Sequence, residues 1–191
     1  MGLRFGRLNR SDNSALGFRV EVHAETRRVM TTKIRNDTQQ TDTHRTALTQ
    51  LLNHHVALAA DLYSQIKQAH WNVVGPNFIA LHKLFDEQAA VVLGHIDLYA
   101  ERIRALRGVP AGTIRQAVRE SPLPDLEARE LPGREAVSEI LQRFESYSAS
   151  LSQAMAECEK HDDLATQDIF IEALREVDKN AYFLRSHLRD E

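Results

Sequence analysis

The strongest constraint in this sequence is a period. From about His44 to Leu188, apolar residues recur three or four positions apart with few interruptions, which is the signature of amphipathic helices. A first helix is predicted over about Thr46 to Trp71, with Leu48, Leu51, Leu52, His55, Val56, Ala59, Leu62, Tyr63, Ile66 and Ala69 on one stripe. Gly75-Pro76 stops it. A second runs from about Phe78 to Leu106 and ends at Gly108 and Pro110. Residues 111–120 read as a short helix, and 121–133, with Pro122, Pro124, Pro132 and Gly133, as a connector. A third helix spans about Arg134 to Glu159, striped by Ile140, Leu141, Phe144, Tyr147, Leu151 and Met155. The fourth covers about Leu164 to Leu188, with Asp163 placed to cap it and Ile169, Ile171, Leu174, Val177, Phe183 and Leu184 as its stripe. Four helices of about this length give an all-α four-helix bundle. The link between the second and third, about 25 residues, is too long for a hairpin and reads as a crossover along the bundle.

Composition narrows the class. At 191 residues the chain can bury one ordinary core. A net charge of −3 excludes a polybasic nucleic-acid binder over the whole length. The single cysteine, Cys158, excludes an internal disulfide framework and a cysteine zinc site. No apolar run is long enough to span a membrane, and the charged N-terminus has no signal-peptide centre, so a cytoplasmic protein is the expectation. Residues 1–43 show no sustained period and read as a flexible tail before a bundle domain at 44–188. Met30-Thr31-Thr32-Lys33 resembles a translation start, which would leave residues 1–29 outside the native product.

The second helix carries the chemistry. Counting 100° per residue from His82, Asp86 falls at about 40°, Asp97 at about 60° and Glu101 at about 100°. These four share one wedge beside the apolar stripe of Leu81, Phe85, Val92, Ile96, Tyr99 and Ile103. His with carboxylates suits non-haem iron, manganese or zinc rather than copper(I) or iron–sulfur. His82 and Asp97 lie 15 residues apart, about 22 Å along a helix axis, so they cannot hold one ion within one chain. A two-fold dimer with antiparallel second helices unites the pair His82/Asp86 of one chain with the pair Asp97/Glu101 of the other, at two equivalent sites between subunits. His70, at the end of the first helix, could be folded back by the Gly75-Pro76 turn as a third ligand. Taken alone, each pair also reads as a solvated helix face, and His70 as a packed or capping side chain. The chain has no Glu-x-x-His pair, so ligands facing the bundle core are not expected.

The segment QIKQAHWNVVGPNFIALHKLFDE at 65–87 closely resembles the signature of the Dps family, the small dodecameric ferritins that protect DNA in starved and oxidatively stressed bacteria. The likeness continues through HIDLYAERIRALRG at 95–108 and returns more weakly in DDLATQDIF at 162–170 and REVDKNAYFLRSHL at 175–188. It implies a ferritin-like four-helix bundle whose crossover carries a short helix. It implies a ferroxidase centre of two irons at the dimer interface, with His70, His82 and Asp86 from one subunit, Asp97 and Glu101 from its mate, and Glu101 as the strongest ligand. The implied chemistry is oxidation of Fe(II), preferably by hydrogen peroxide, with mineral storage in a shell of twelve subunits. Trp71 matches a family tryptophan that takes up oxidising equivalents. Asp162, Asp163 and Asp168 match the region lining the family's three-fold iron pores. For Asp162 and Asp163 the simpler reading is acids favoured at a helix N-terminus. Ala181-Tyr182-Phe183 departs from the family's Leu-Trp-Phe, with Tyr182 still expected to pack. His54, His55 and His95 receive no role, His95 being expected at the surface or an interface.

Many Dps proteins bind DNA through a lysine-rich tail. Residues 1–40 here hold eight basic and four acidic residues, so the tail is +4 and the remainder −7. Twelve such arms would bind DNA multivalently and with strong salt dependence. From Met30, only Lys33, Arg35 and Arg45 oppose Asp37 and Asp42. The alternative to a ferroxidase is a non-enzymatic, DNA-compacting nucleoid protein with a vestigial iron site.

Overall fold

A computed structural model describes residues 14–189, with backbone alone for 14–27 and 31–40. The element order is α1 (Ser14–Asn72), β1 (Val73–Val74), α2 (Phe78–Ala105), α3 (Ile114–Glu120), β2 (Leu131–Pro132), α4 (Gly133–Lys160) and α5 (Leu164–Leu188). Two compact units divide the chain, Met1–Thr43 and His44–Glu191.

The second unit is the expected bundle. The 3.6-residue stripes become its core: Leu52, Val56, Leu62 and Ile66 from α1, Leu81, Phe85, Val92 and Ile103 from α2, Val137, Ile140, Phe144 and Leu151 from α4, and Phe170, Val177 and Leu184 from α5. On α5 the buried stripe is Phe170, Ala173, Val177, Ala181 and Leu184, one position away from the Ile169, Ile171 and Leu174 expected to lead it. Tyr182 does not pack: it is 60% exposed, because burying Ala181 and Leu184 turns it outward.

The first helix corrects a sequence expectation. It begins at Ser14 rather than near Thr46, so residues 14–43 are helical. The chain has no proline before Pro76 and no glycine between Gly17 and Gly75, so nothing breaks a helix there. Residues 14–43 carry no sustained apolar period, which is why the sequence pattern does not announce the helix. Arg4, Arg7, Arg10 and Asp12 of the proposed DNA-binding tail lie outside the described residues.

The crossover is held by side chains of the helices it traverses. Arg143, buried in α4, donates to Gln65, to the Glu139 carboxylate at 2.7 Å, and to the carbonyls of Pro124 and Asp125 at 3.1 and 3.2 Å. Gln68 donates to the Leu126 carbonyl at 2.7 Å, and Asn53 accepts from the Ala111 N–H at 2.7 Å. The two-residue strands β1 and β2 pair in parallel, Val73 with Leu131 and Val74 with Pro132. This staple fixes the corner between α1 and α2. The corner turns at Gly75, whose φ of 111° disfavours any side chain. At Gly133 an added Cβ would lie 2.9 Å from Leu81 Cδ1, so the start of α4 packs directly on α2.

Candidate metal centre

The stapled corner brings His70 and His82 face to face. Their rings stack with centroids 3.7 Å apart and planes 21° from parallel. Each Nδ1 lies on the other residue's backbone carbonyl, 2.7 Å for His70 and 2.8 Å for His82. A carbonyl only accepts, so both Nδ1 atoms carry the proton. In the neutral rings the lone pairs therefore sit on Nε2, with orientation and tautomer fixed as they are in metal-ligating histidines. His70 is 8% exposed and His82 half-buried.

Asp86, one turn along α2 from His82, is exposed and accepts from Lys67 Nζ at 2.5 Å. That hydrogen bond, outweighing desolvation and aided by the charges of Lys67, His70 and His82, holds its carboxyl below the usual range. Lys67 is a residue the sequence reading passed over. Its signal was available: it lies one helical turn before His70. Trp71 is 67% exposed and lines a groove between α1 and the crossover with Asp61, Lys67, Gln68, Asp125 and Glu127. Phe78 and Ile79 are also exposed at 42% and 60%, Phe78 lying 5.1 Å from the His82 ring.

Further along α2, Asp97 and Glu101 are exposed on the same side, as is Leu93 at 50%. The structure thus brings His70, His82 and Asp86 together and leaves Asp97 and Glu101 apart from them. Among the described residues, no three His, Cys, Asp or Glu side chains gather closely enough to hold a metal. Ligand-type residues and large apolar side chains share one open face of α2.

Of the three acids expected near a pore, Asp162 and Asp168 are exposed. Asp163 is engaged within the subunit. It caps α5, accepting from the Thr166 N–H and hydroxyl at 2.9 Å, and it takes a two-pronged ion pair from Arg102 at 2.9 and 3.0 Å. Burial would raise its carboxyl, but Thr166 and Arg102 outweigh that and lower it.

The comparisons with known proteins decide the family. The ferritin-like domain family matches residues 49–191. A DNA protection during starvation protein of Mycolicibacterium smegmatis is 33% identical over 72% of this chain and 75% of its own length, and one of Brevibacillus brevis is 33% identical over 72% and 92%. The chain belongs to the Dps family. The solved structures agree. A Dps crystal structure from Bacillus brevis superposes with a TM-score of 0.73 at 31% identity, covering 77% of this chain and 98% of that one. A Mycobacterium smegmatis Dps gives 0.75 at 29%, covering 78% and 91%. The ferritin-like bundle with its crossover is therefore the Dps fold.

His95 corrects another expectation. It is 2% exposed, not at the surface. Its Nε2 lies 2.8 Å from Glu176 of α5 and its Nδ1 3.3 Å from the Tyr147 hydroxyl of α4. Burial depresses its basicity more than Glu176 restores it, so the contact is a neutral imidazole donating to a carboxylate rather than an ion pair. His55, also buried, contacts the Leu51 carbonyl and Ser150, and burial lowers it to about 4. Cys158 is fully buried, and burial pushes its thiol up to about 12.

Proposed function

We propose that this Dps protein is a ferroxidase that oxidises Fe(II) with hydrogen peroxide at sites shared by two subunits and stores the ferric product in a dodecameric shell. The observation that carries this reading is the His70–His82 pair, stacked with both Nδ1 atoms bonded to backbone and Asp86 one turn away. Such pre-orientation is what a metal site requires, and a solvated face does not need it.

The ligand spacing sets the register that the complementary half would need. In an antiparallel pair of α2 helices with the two-fold axis beside Val91 and Val92, His82 lies opposite Glu101 of the partner subunit. Asp86 then lies opposite Asp97 of the partner subunit. Ala90 and Gly94, both exposed, flank that axis, and an added Cβ at Gly94 meets nothing in the subunit. Small residues there let two helices approach closely, while Phe78, Ile79 and Leu93 gain cover. The histidines hold Fe(II), and the carboxylates favour the harder Fe(III) that forms. Two Fe(II) giving two electrons to one peroxide release no hydroxyl radical, which would protect nearby DNA. Exposed Asp162 and Asp168 would draw cations toward a pore by their field, while Asp163 orients Arg102 and α5. Trp71, exposed beside the centre, would take stray oxidising equivalents. The basic residues of the N-terminal segment would hold DNA electrostatically. A cytoplasmic, nucleoid-associated location fits these roles, and among the described residues no helix is long and apolar enough to cross a membrane.

Fe(II) oxidation followed by absorbance under peroxide tests the proposal. Wild type is expected to outpace Glu101→Ala strongly, with assembly mass near twelve subunits for both. Equal rates would remove the ferroxidase and leave the DNA-compacting alternative.

A further inference from the structure

The interior of the bundle holds a second ordered polar array, on the opposite face of α2 from the metal half-sites. Tyr99 and Tyr147 are both 0% exposed, and their hydroxyls are 2.7 Å apart. The Tyr147 hydroxyl lies 3.3 Å from His95 Nδ1, and His95 Nε2 lies 2.8 Å from Glu176 Oε2. Glu176 is the outlet of the array, with its side chain 48% exposed.

Chemistry fixes the direction of each bond. The carboxylate accepts, so His95 Nε2 donates. In the neutral ring Nδ1 then accepts, so Tyr147 donates to it. The Tyr147 oxygen is left to accept from Tyr99. The array therefore runs Tyr99 to Tyr147 to His95 to Glu176, each group donating outward. A phenol that donates to an imidazole backed by a carboxylate can lose an electron without holding the costly phenol cation, because its proton has somewhere to go. Two phenols and an imidazole at the most buried level of a core are also an expensive way to fill space that Phe and Leu would fill.

We infer that Tyr147, with Tyr99, His95 and Glu176, is a redox site that stores one oxidising equivalent inside the subunit. Tyr147 gives one electron to an oxidant of the hydroxyl-radical class, which becomes hydroxide, and its phenolic proton passes to His95 Nδ1. The result is a neutral tyrosyl radical beside an imidazolium paired with Glu176. Resting on the ferroxidase reading above, the iron centre supplies both partners. Where a centre holds a single Fe(II), so that the two-electron route is closed, that ion and peroxide yield Fe(III), hydroxide and hydroxyl radical. A second Fe(II) later returns the electron to Tyr147 as the proton moves back. The sum is two Fe(II) and one peroxide giving two Fe(III) and two hydroxide ions. Tyr99 lies two residues from both Asp97 and Glu101, within one helix width, about 10–12 Å, so the electron has a short path.

The test has two arms on the full chain, read by freeze-quench electron paramagnetic resonance. In the iron-free arm, radiolytic azide radical supplies the one-electron oxidant. Wild type and Tyr182→Phe, which alters an exposed tyrosine, are expected to give a persistent tyrosyl signal, and Tyr147→Phe to lose most of it. Glu176→Gln, at the exposed end and safe for folding, is expected to shorten its lifetime. Undiminished signal in folded Tyr147→Phe, or an unchanged lifetime in Glu176→Gln, overturns the inference. In the second arm Fe(II) and peroxide replace azide radical, and the same Tyr147-dependent signal is expected. Signal from azide radical together with Fe(II) oxidation that ignores Glu101→Ala would sink the ferroxidase reading and leave the redox tyrosine standing.

Discussion

Two histidines of one helix behave in opposite ways. His82 and His95 both lie on α2, yet His82 sits on an open face with its Nε2 uncommitted to the backbone, whereas His95 is buried with both nitrogens in contact with protein groups. Near His82 along α2 stand exposed Asp86, Phe78 and Ile79. Around His95 stand buried Tyr99 and Tyr147. The open face is incomplete in one subunit, and the closed face is complete. Ligand-type residues that a subunit leaves unfinished point to a second copy, while those it satisfies point inward to the subunit's own stability and redox chemistry.

The largest expected effect separates the two faces by stability. Phe85→Ala, on the closed face, should destabilise the subunit by about 3–5 kcal/mol in denaturant unfolding. Leu93→Ala, on the open face, should leave subunit stability nearly unchanged and weaken assembly in size-exclusion measurements. Similar losses from both would erase the distinction.

Acid should act on the interior next. His55 is held neutral with its value lowered to about 4, while in the unfolded chain it titrates near its ordinary 6.5. Between these values the unfolded state binds the extra proton, so stability is full above pH 6.5 and falls as pH drops toward 4, by about 3 kcal/mol. Unfolding midpoints measured across that range should show the slope, and His55→Leu should flatten it.

On the open face, Glu101→Gln should slow Fe(II) oxidation by about 100-fold, the upper range seen when even supporting groups of a metal site are lost, with thermal unfolding unmoved. A smaller change is expected from Lys67→Met. Its ammonium competes with a metal cation for Asp86, so anaerobic Fe(II) titration should show binding tightened by up to about fivefold.

Much of this was legible in the sequence because the bundle's elements are local. Gly75-Pro76 and Asp163 mark boundaries through backbone chemistry, and α5 starts and ends where its pattern does. The wedge of His82, Asp86, Asp97 and Glu101 was legible because one helix carries it. His95 was not, since its position beside the apolar stripe is decided by Tyr147 on α4 and Glu176 on α5. The upstream part of α1 was not legible either, because residues 14–43 carry no sustained apolar period. Asp163 was read both as a pore acid and as a cap; Arg102, 61 positions away, accounts for its present engagement.

The central claim is that each iron centre is completed by two chains, and complementation tests it most directly. One variant carries His82→Ala and Asp86→Ala, the other Asp97→Ala and Glu101→Ala. Each alone is expected to oxidise Fe(II) no faster than the bare solution. Co-expressed with different tags and purified as mixed assemblies, they should regain activity, because one of the two sites in every mixed dimer is then wild type throughout. Mixed assemblies that stay inactive, or either variant active by itself, would contradict a centre shared between subunits.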